Sequence, residues 1–168
     1  MSKKVRIAGV VKESIVDGPG IRFVVFAQGC PHQCEGCHNP ATHDSNGGNL
    51  VDVDAIIDEM RKNPLLDGIT LSGGEPFEQP EAFCELAKRS KELGYHVMTY
   101  TGYTYETLLE KKDARRLRLL ENTDLLVDGK FEVKKKSLML KFRGSKNQRI
   151  IDVNRSRRDN RLTLSEIS

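Results

Sequence analysis

The sequence predicts an α/β fold: a partial, open (β/α) barrel with mostly parallel strands. Two observations carry that prediction. Short apolar runs rich in β-branched and aromatic residues alternate with stretches of helical periodicity, and that alternation pairs strands in parallel through βαβ units. Too few such units fit into 168 residues to close a full (β/α)8 barrel.

The elements follow in order. Val5 to Lys12 alternates weakly and reads as a short edge strand, followed by the turn Asp17-Gly18-Pro19-Gly20. Ile21 to Ala27 is dense in β-branched and aromatic residues and reads as a buried strand. Thr42 to Asn49 is a polar, glycine-containing connection. Asp52 or Asp54 then caps a helix running to about Lys62, with Val53, Ile56, Ile57 and Met60 as its apolar stripe and Asn63-Pro64 as its stop. Gly68 to Leu71 is the next strand, continued directly by Ser72-Gly73-Gly74-Glu75-Pro76.

Pro80 suits a first helical turn. Ala82, Phe83, Leu86, Ala87 and Leu93 give that helix an apolar face, and Gly94 ends it. Tyr95 to Tyr100 is a strand, with Thr101-Gly102-Tyr103 at its C-terminal end. Tyr105 to about Leu120 reads as one helix. Leu125 to Val127 is a further strand, ending at Asp128-Gly129-Lys130, and Leu138 to Phe142 and Arg149 to Val153 are candidate strands. The reading is one domain over residues 1–153 and a polar, basic, partly disordered C-terminal tail over 154–168.

Hydrophobic residues make up 38% and charged residues 30%, proportions that suit a globular core. A net charge of +3 is too small to argue for nucleic acid. The basic residues crowd between Lys130 and Arg161, as a solvated face or as a surface for an acidic partner. No apolar run approaches the roughly 18 residues of a membrane span, and MSKKVRIAGV lacks a signal-peptide core. The expectation is a cytoplasmic protein without membrane or nucleic-acid partners. In a reducing compartment, clustered cysteines are ligands or catalysts more often than disulfides.

The cysteines are clustered. GCPHQCEGCHNP, Gly29 to Pro40, places Cys30, Cys34 and Cys37 in a C-x3-C-x2-C pattern just after the buried strand. A closed zinc site or a fully protein-ligated iron–sulfur cluster takes four ligands. Three thiolates fit a four-iron cluster with one iron left open. Zinc is the alternative, with His32, His38 or His43 as fourth ligand. Cys84 is a distant fourth candidate, but its place beside Phe83 on a helix favours a buried structural thiol. Gly73-Gly74-Glu75-Pro76 also follows a strand. It is either a plain βα turn or a segment whose backbone approaches a ligand, with Glu75 as acceptor for a cationic amine. Both loops belong at the C-terminal end of the sheet, where α/β folds build their sites.

The three-cysteine spacing followed by GGEP resembles the radical S-adenosylmethionine enzymes. DGPGIRFVVFAQGC, CHNP and LSGGEP narrow the resemblance to the glycyl-radical-enzyme activases, over about Ile7 to Val153. The short chain and KFRGSKNQRIID draw it toward those whose target is anaerobic ribonucleoside-triphosphate reductase. Activases of other glycyl-radical enzymes, such as pyruvate formate-lyase, are the neighbouring alternative. A small electron-transfer iron–sulfur protein is the alternative from another class.

The resemblance implies a truncated radical S-adenosylmethionine core. Cys30, Cys34 and Cys37 would ligate a [4Fe-4S] cluster whose open iron takes the amino and carboxylate groups of S-adenosyl-L-methionine. Reductive cleavage would yield methionine and a 5′-deoxyadenosyl radical, which abstracts hydrogen from a glycine of the partner. Flavodoxin or ferredoxin would be the electron donor. Gly73, Gly74 and Glu75 would hold the methionine amino group, Lys130 would lie near its carboxylate, and Asn147 and Arg149 would face cofactor or partner. Asp17 and His38 would lie near the incoming glycine loop; a turn residue and a loop hydrogen bond are their plainer roles. Asp128 matches a cation-ligand position, but Tyr100 replaces a second acidic ligand. Where many relatives carry an aromatic residue against adenine, this chain has Gly36; Tyr103 is the substitute expected.

Overall fold

The computed structural model describes residues 3–32, 34–37 and 40–167. Its strands are β1 (Lys4–Ser14), β2 (Arg22–Ala27) and β3 (Asn49–Asp52), and helix α1 (Val53–Arg61) follows. Then come β4 (Gly68–Gly73), α2 (Pro80–Glu92), β5 (His96–Tyr100), α3 (Tyr105–Glu110), α4 (Ala114–Glu121), β6 (Leu125–Asp128), β7 (Arg149–Asp152) and α5 (Val153–Arg158). The sheet order is β3-β1-β2-β4-β5-β6-β7. β2, β4, β5 and β6 pair in parallel, while β1 and β7 flank them antiparallel. β3 and β7 remain separate edges, so the barrel is open as expected.

The helices cover one face of this sheet. Ile56, Ile57 and Met60 of α1, Phe83 and Leu86 of α2, and Leu119 and Leu120 of α4 meet Phe23, Val25, Ile69, Leu71, Val97 and Leu126 in one buried cluster. Each such side chain contributes roughly 1.5–3 kcal/mol on leaving water. The opposite, concave face carries only a small apolar patch of Met98, Leu125, Val127 and Ile150, flanked by Tyr100 and Phe142. The rest of that face is left for the site.

Several elements differ from the sequence reading. β1 is longer than expected and lies inside the sheet, because Asn49–Asp52 adds a strand outside it. The helix expected from Tyr105 is two helices. Lys112 adopts φ +50°, and Asp113 caps α4 by accepting from the Arg115 amide at 3.0 Å. Leu93 is exposed rather than part of the α2 face. Leu138 to Phe142 forms the tip of a hairpin, not a strand; that hairpin returns the chain without a crossover helix, so β7 runs antiparallel. Beyond β7, α5 buries Val153 and Ser156, and Leu164 bridges back to Ile151.

A charge with no sequence signal lies beneath the concave face. Arg22 is fully buried and donates to Thr70 Oγ1 at 2.7 Å, to the carbonyls of Pro19 and Ile69 at 2.8 Å and to that of His96 at 3.0 Å. Burial lowers its pKa to about 10. Its Nη2 also donates to His96 Nδ1 at 3.0 Å, which requires a neutral imidazole there. Burial, and then the adjacent guanidinium, hold His96 below the usual histidine range. The unfolded chain therefore takes up a proton at about pH 6.5 that the folded chain refuses until lower pH. Stability should be complete above that pH and fall as pH drops through it. His96→Gln should flatten this dependence in denaturant titrations between about pH 7.5 and 5.5.

Candidate functional site

The parallel strands fix the site. Ala27 of β2 pairs with Gly73 of β4, and Tyr100 of β5 with Val127 of β6, so four successive loops leave the same edge of the sheet. Those loops and the concave face enclose a cavity of about 300 Å³ lined by Cys30, Cys34, Cys37, Gly73, Gly74 and Lys130. Asp17 lines it too, with its carboxylate accepting from Ser14 Oγ at 2.6 Å. The expected residues thus largely meet in one place. Asn147 and Arg149 instead line an adjoining cavity of about 580 Å³, and Lys130 and His32 border both. His38 lies outside the described residues. Cys84 is on the helical side, half-buried, with Asn122 Nδ2 at 3.7 Å from its sulfur.

Gly73 is dictated by close approach. Its φ is +86°, and a Cβ there would lie 2.5 Å from the Ala27 nitrogen. The next amides tie this loop to the cysteine loop: Gly74 N–H donates to the Ala27 carbonyl at 2.7 Å and Glu75 N–H to that of Gly29 at 2.8 Å.

The Glu75 carboxylate is engaged by protein donors. Its side chain is 0% exposed. Oε1 accepts from His32 Nε2 at 2.6 Å, from Thr101 Oγ1 at 3.0 Å and from the Gly102 amide at 2.8 Å, and Oε2 accepts from the Phe77 amide at 3.1 Å. One carboxylate thereby fastens the loops after β2, β4 and β5 together. His32 lies over Gly102, where a Cβ would strike its ring at 2.4 Å, and packs edge-on against Tyr103 with ring centroids 4.6 Å apart.

Asp128 is likewise occupied by protein. It is buried, accepts from Arg149 Nε at 3.0 Å and from the Tyr105 amide at 2.8 Å, and Arg149 reaches on to Glu106. The Asp128 carboxylate is thus an anchor for β7 and α3. Arg149 in turn holds the Glu106 carboxyl below its usual range.

A family model described as 4Fe-4S single cluster domain matches residues 16–151. The anaerobic ribonucleoside-triphosphate reductase-activating protein of Enterobacteria phage T4 is 33% identical over 143 residues, 80% of this chain and 86% of its own length. Its namesake from Escherichia coli K12 is 34% identical over 143 residues, covering 90% of that protein. The chain belongs to the radical S-adenosylmethionine glycyl-radical-enzyme activases. The pyruvate formate-lyase-activating enzyme of Clostridium pasteurianum is 38% identical over 128 residues, and the chain spans half of that protein's length.

The cofactors of this activase fold are a [4Fe-4S] cluster and S-adenosylmethionine, and the residues present fit them. Three thiols line one cavity, a suitable donor set for a soft multi-iron cargo. Among the described residues, no three His, Cys, Asp or Glu close on a point as for a single metal ion. Burial raises the Cys34 thiol above its usual range, while the Phe131 amide and the Lys130 charge pull it back toward the thiolate. In the adjoining cavity, Asn147 donates through Nδ2 to the Lys130 carbonyl at 2.7 Å, and its buried Oδ1 has no protein partner among the described residues.

Sequence reasoning missed Phe131. Its ring lies in a slot between two glycines: a Cβ on Gly144 would be 2.9 Å from Cδ2, and one on Gly36 would be 3.5 Å from Cε1. Gly36 has φ +71°, which strains any side chain, and its Cβ would also lie 3.0 Å from Val133 Cγ2. Phe131 lines the cysteine cavity; Tyr103, the substitute expected, lines the adjoining one beneath Arg116. The paired absence of a Cβ at residues 36 and 144 was the available signal, legible only once the fold joins them.

Proposed function

We propose that the chain activates anaerobic ribonucleoside-triphosphate reductase by installing a glycyl radical on it. The observation that carries this reading is coverage: the relatives bearing that name are matched over 86% and 90% of their length. Activation of pyruvate formate-lyase is the second reading, favoured by the 38% identity to its activase. Flavodoxin or ferredoxin is the electron donor proposed. When bound, the cluster and S-adenosylmethionine supply one-electron cleavage of a carbon–sulfur bond and the hydrogen-atom abstraction that leaves the radical on the partner.

The residues of the chain hold and orient. Cys30, Cys34 and Cys37 bind three irons. The Gly73 and Gly74 carbonyls offer acceptors to the methionine ammonium, and Lys130 offers its cation to the carboxylate. Glu75 is a positioning residue acting through the loops it joins. Asn147 Oδ1 accepts from a ligand hydroxyl or amine. Asp17 borders the entry of the partner's glycine. Phe131 supplies the apolar wall for adenine that Gly36 leaves out, since a purine ring stacks well on an aromatic face.

Phe131→Ala should weaken binding of 5′-deoxyadenosine and of S-adenosylmethionine by about 10-fold, the scale of one lost base–aromatic stack. Iron content and methionine binding should be unchanged, and Phe131→Tyr should restore most of the affinity. Equal affinity in wild type and Phe131→Ala would remove the ring from the site.

The function itself is tested by incubating the reconstituted activase anaerobically with reductant, S-adenosylmethionine and each candidate target. The expected result is a glycyl-radical resonance in the ribonucleotide reductase. A radical in pyruvate formate-lyase alone would transfer the assignment to the second reading.

A further inference from the structure

Among the described residues, the four most exposed large apolar side chains are Met139 (91%), Leu138 (89%), Ile15 (75%) and Val16 (72%). They form two pairs on segments far apart in sequence, and both segments fold over the same patch of the concave face. Ile15 and Val16 precede Asp17, which lines the cysteine cavity, and a Cβ on Gly18 would lie 2.8 Å from Met98 Sδ. Leu138 and Met139 stand in a loop anchored by Phe142, which packs on that same patch and accepts from the Tyr100 hydroxyl at 2.6 Å.

The hairpin carrying Leu138 and Met139 is braced. Lys146 N–H donates to the Lys135 carbonyl at 2.9 Å, and Ser137 N–H to that of Gly144 at 3.3 Å. Gln148 clasps its base, accepting from the Gly144 amide at 2.8 Å and donating to the Gly129 carbonyl at 3.0 Å. Ser145 is buried and accepts from the Glu132 amide at 3.2 Å. The apolar pair is therefore held out into water by a built structure. Around it stand Lys134, Lys135, Lys136, Lys141, Arg143 and Lys146, against Glu132 alone between Phe131 and Gln148. Paired exposed apolar groups within a polar rim mark an interaction surface.

We propose that this hairpin and the Ile15–Val16 turn are two jaws that dock the glycyl-radical partner. The apolar pairs seat on it, and the cations face an acidic surface beside its glycine loop. The inference rests on the function proposed above. Hydrogen abstraction requires the partner's backbone to enter the cavity, so the partner must cover its mouth, and these pairs stand on the two segments that supply Asp17, Gly144 and Gln148 to its lining. The predominantly positive charge of the hairpin selects an acidic partner and would speed its encounter.

The test uses two variants of the full, cluster-loaded chain: Leu138→Asp with Met139→Asp, and Lys134→Glu with Lys135→Glu and Lys136→Glu. Both should bind the reductase about 10-fold or more weakly, as for lost interface anchors, with glycyl-radical yield falling in step. The charge variant's deficit should shrink at high salt. Iron content and partner-free cleavage of S-adenosylmethionine with a chemical reductant should stay at wild-type values. Unchanged reductase binding in both variants overturns the proposal. So does a loss confined to self-association in sedimentation, or to retention on DNA, because either assigns the surface to another occupant. If the wild type forms the radical and the variants do too, the docking proposal alone falls. If the wild type forms none, the functional reading fails, and with it the partner named for these jaws.

Discussion

Replacing any one of Cys30, Cys34 and Cys37 by alanine is expected to abolish reductive cleavage of S-adenosylmethionine. The three thiols line the same cavity, and a cluster already short of one protein ligand does not assemble stably on two. The loss should appear first in iron and sulfide content and in visible absorption, before any assay of turnover. Cys84→Ala is the internal control. Cys84 lies on α2, packs against the core on the helical face, and has its thiol raised by burial, so it is a poor ligand as it stands. Its replacement should retain the cluster and cost about 1 kcal/mol in stability. A cluster lost in Cys84→Ala would mean that the ligand set has been misassigned.

The second large effect is expected at Glu75. Glu75→Gln keeps the shape of the side chain but turns one of its two oxygens into a donor, which then faces either His32, Thr101 and the Gly102 amide or Thr101 and the Phe77 amide. A buried, multiply bonded carboxylate cannot give up an acceptor without leaving donors unpaired, at a cost of about 3 kcal/mol. Because Glu75 is fully buried, the functional loss should come through the loops that it joins. The variant should bind iron less completely and bind S-adenosylmethionine more weakly, whereas a surface carboxylate would change neither. Gln-for-Glu behaviour within twofold of wild type, by denaturant midpoint and by cofactor titration, would contradict the role argued for it.

The cysteine loop and the Gly73–Pro76 segment were legible in the sequence because each signal is local. A strand pattern runs straight into each, and parallel pairing brings both to one edge. What escaped was contact across distance. His32 and Glu75 are 43 residues apart, and nothing in either neighbourhood announces the pairing. Glu75 read as an acceptor for an amine because a carboxylate after a strand advertises an acceptor, while its donors His32, Thr101 and Gly102 come from other loops. Phe131 was hidden for the same reason: the room it fills is made by glycines on two other segments. The break at Lys112 turns on a single positive φ within a helical pattern. β1 read as an edge because its weak alternation could not reveal that Asn49–Asp52 would pair outside it.

The most direct measurement is electron paramagnetic resonance of the reduced, reconstituted protein with and without S-adenosylmethionine. A cluster held by Cys30, Cys34 and Cys37 alone should change its signal when the cofactor is added, and the same change should be absent from the three cysteine variants. An unchanged cluster signal at saturating S-adenosylmethionine would contradict an open iron, and with it the account of this site.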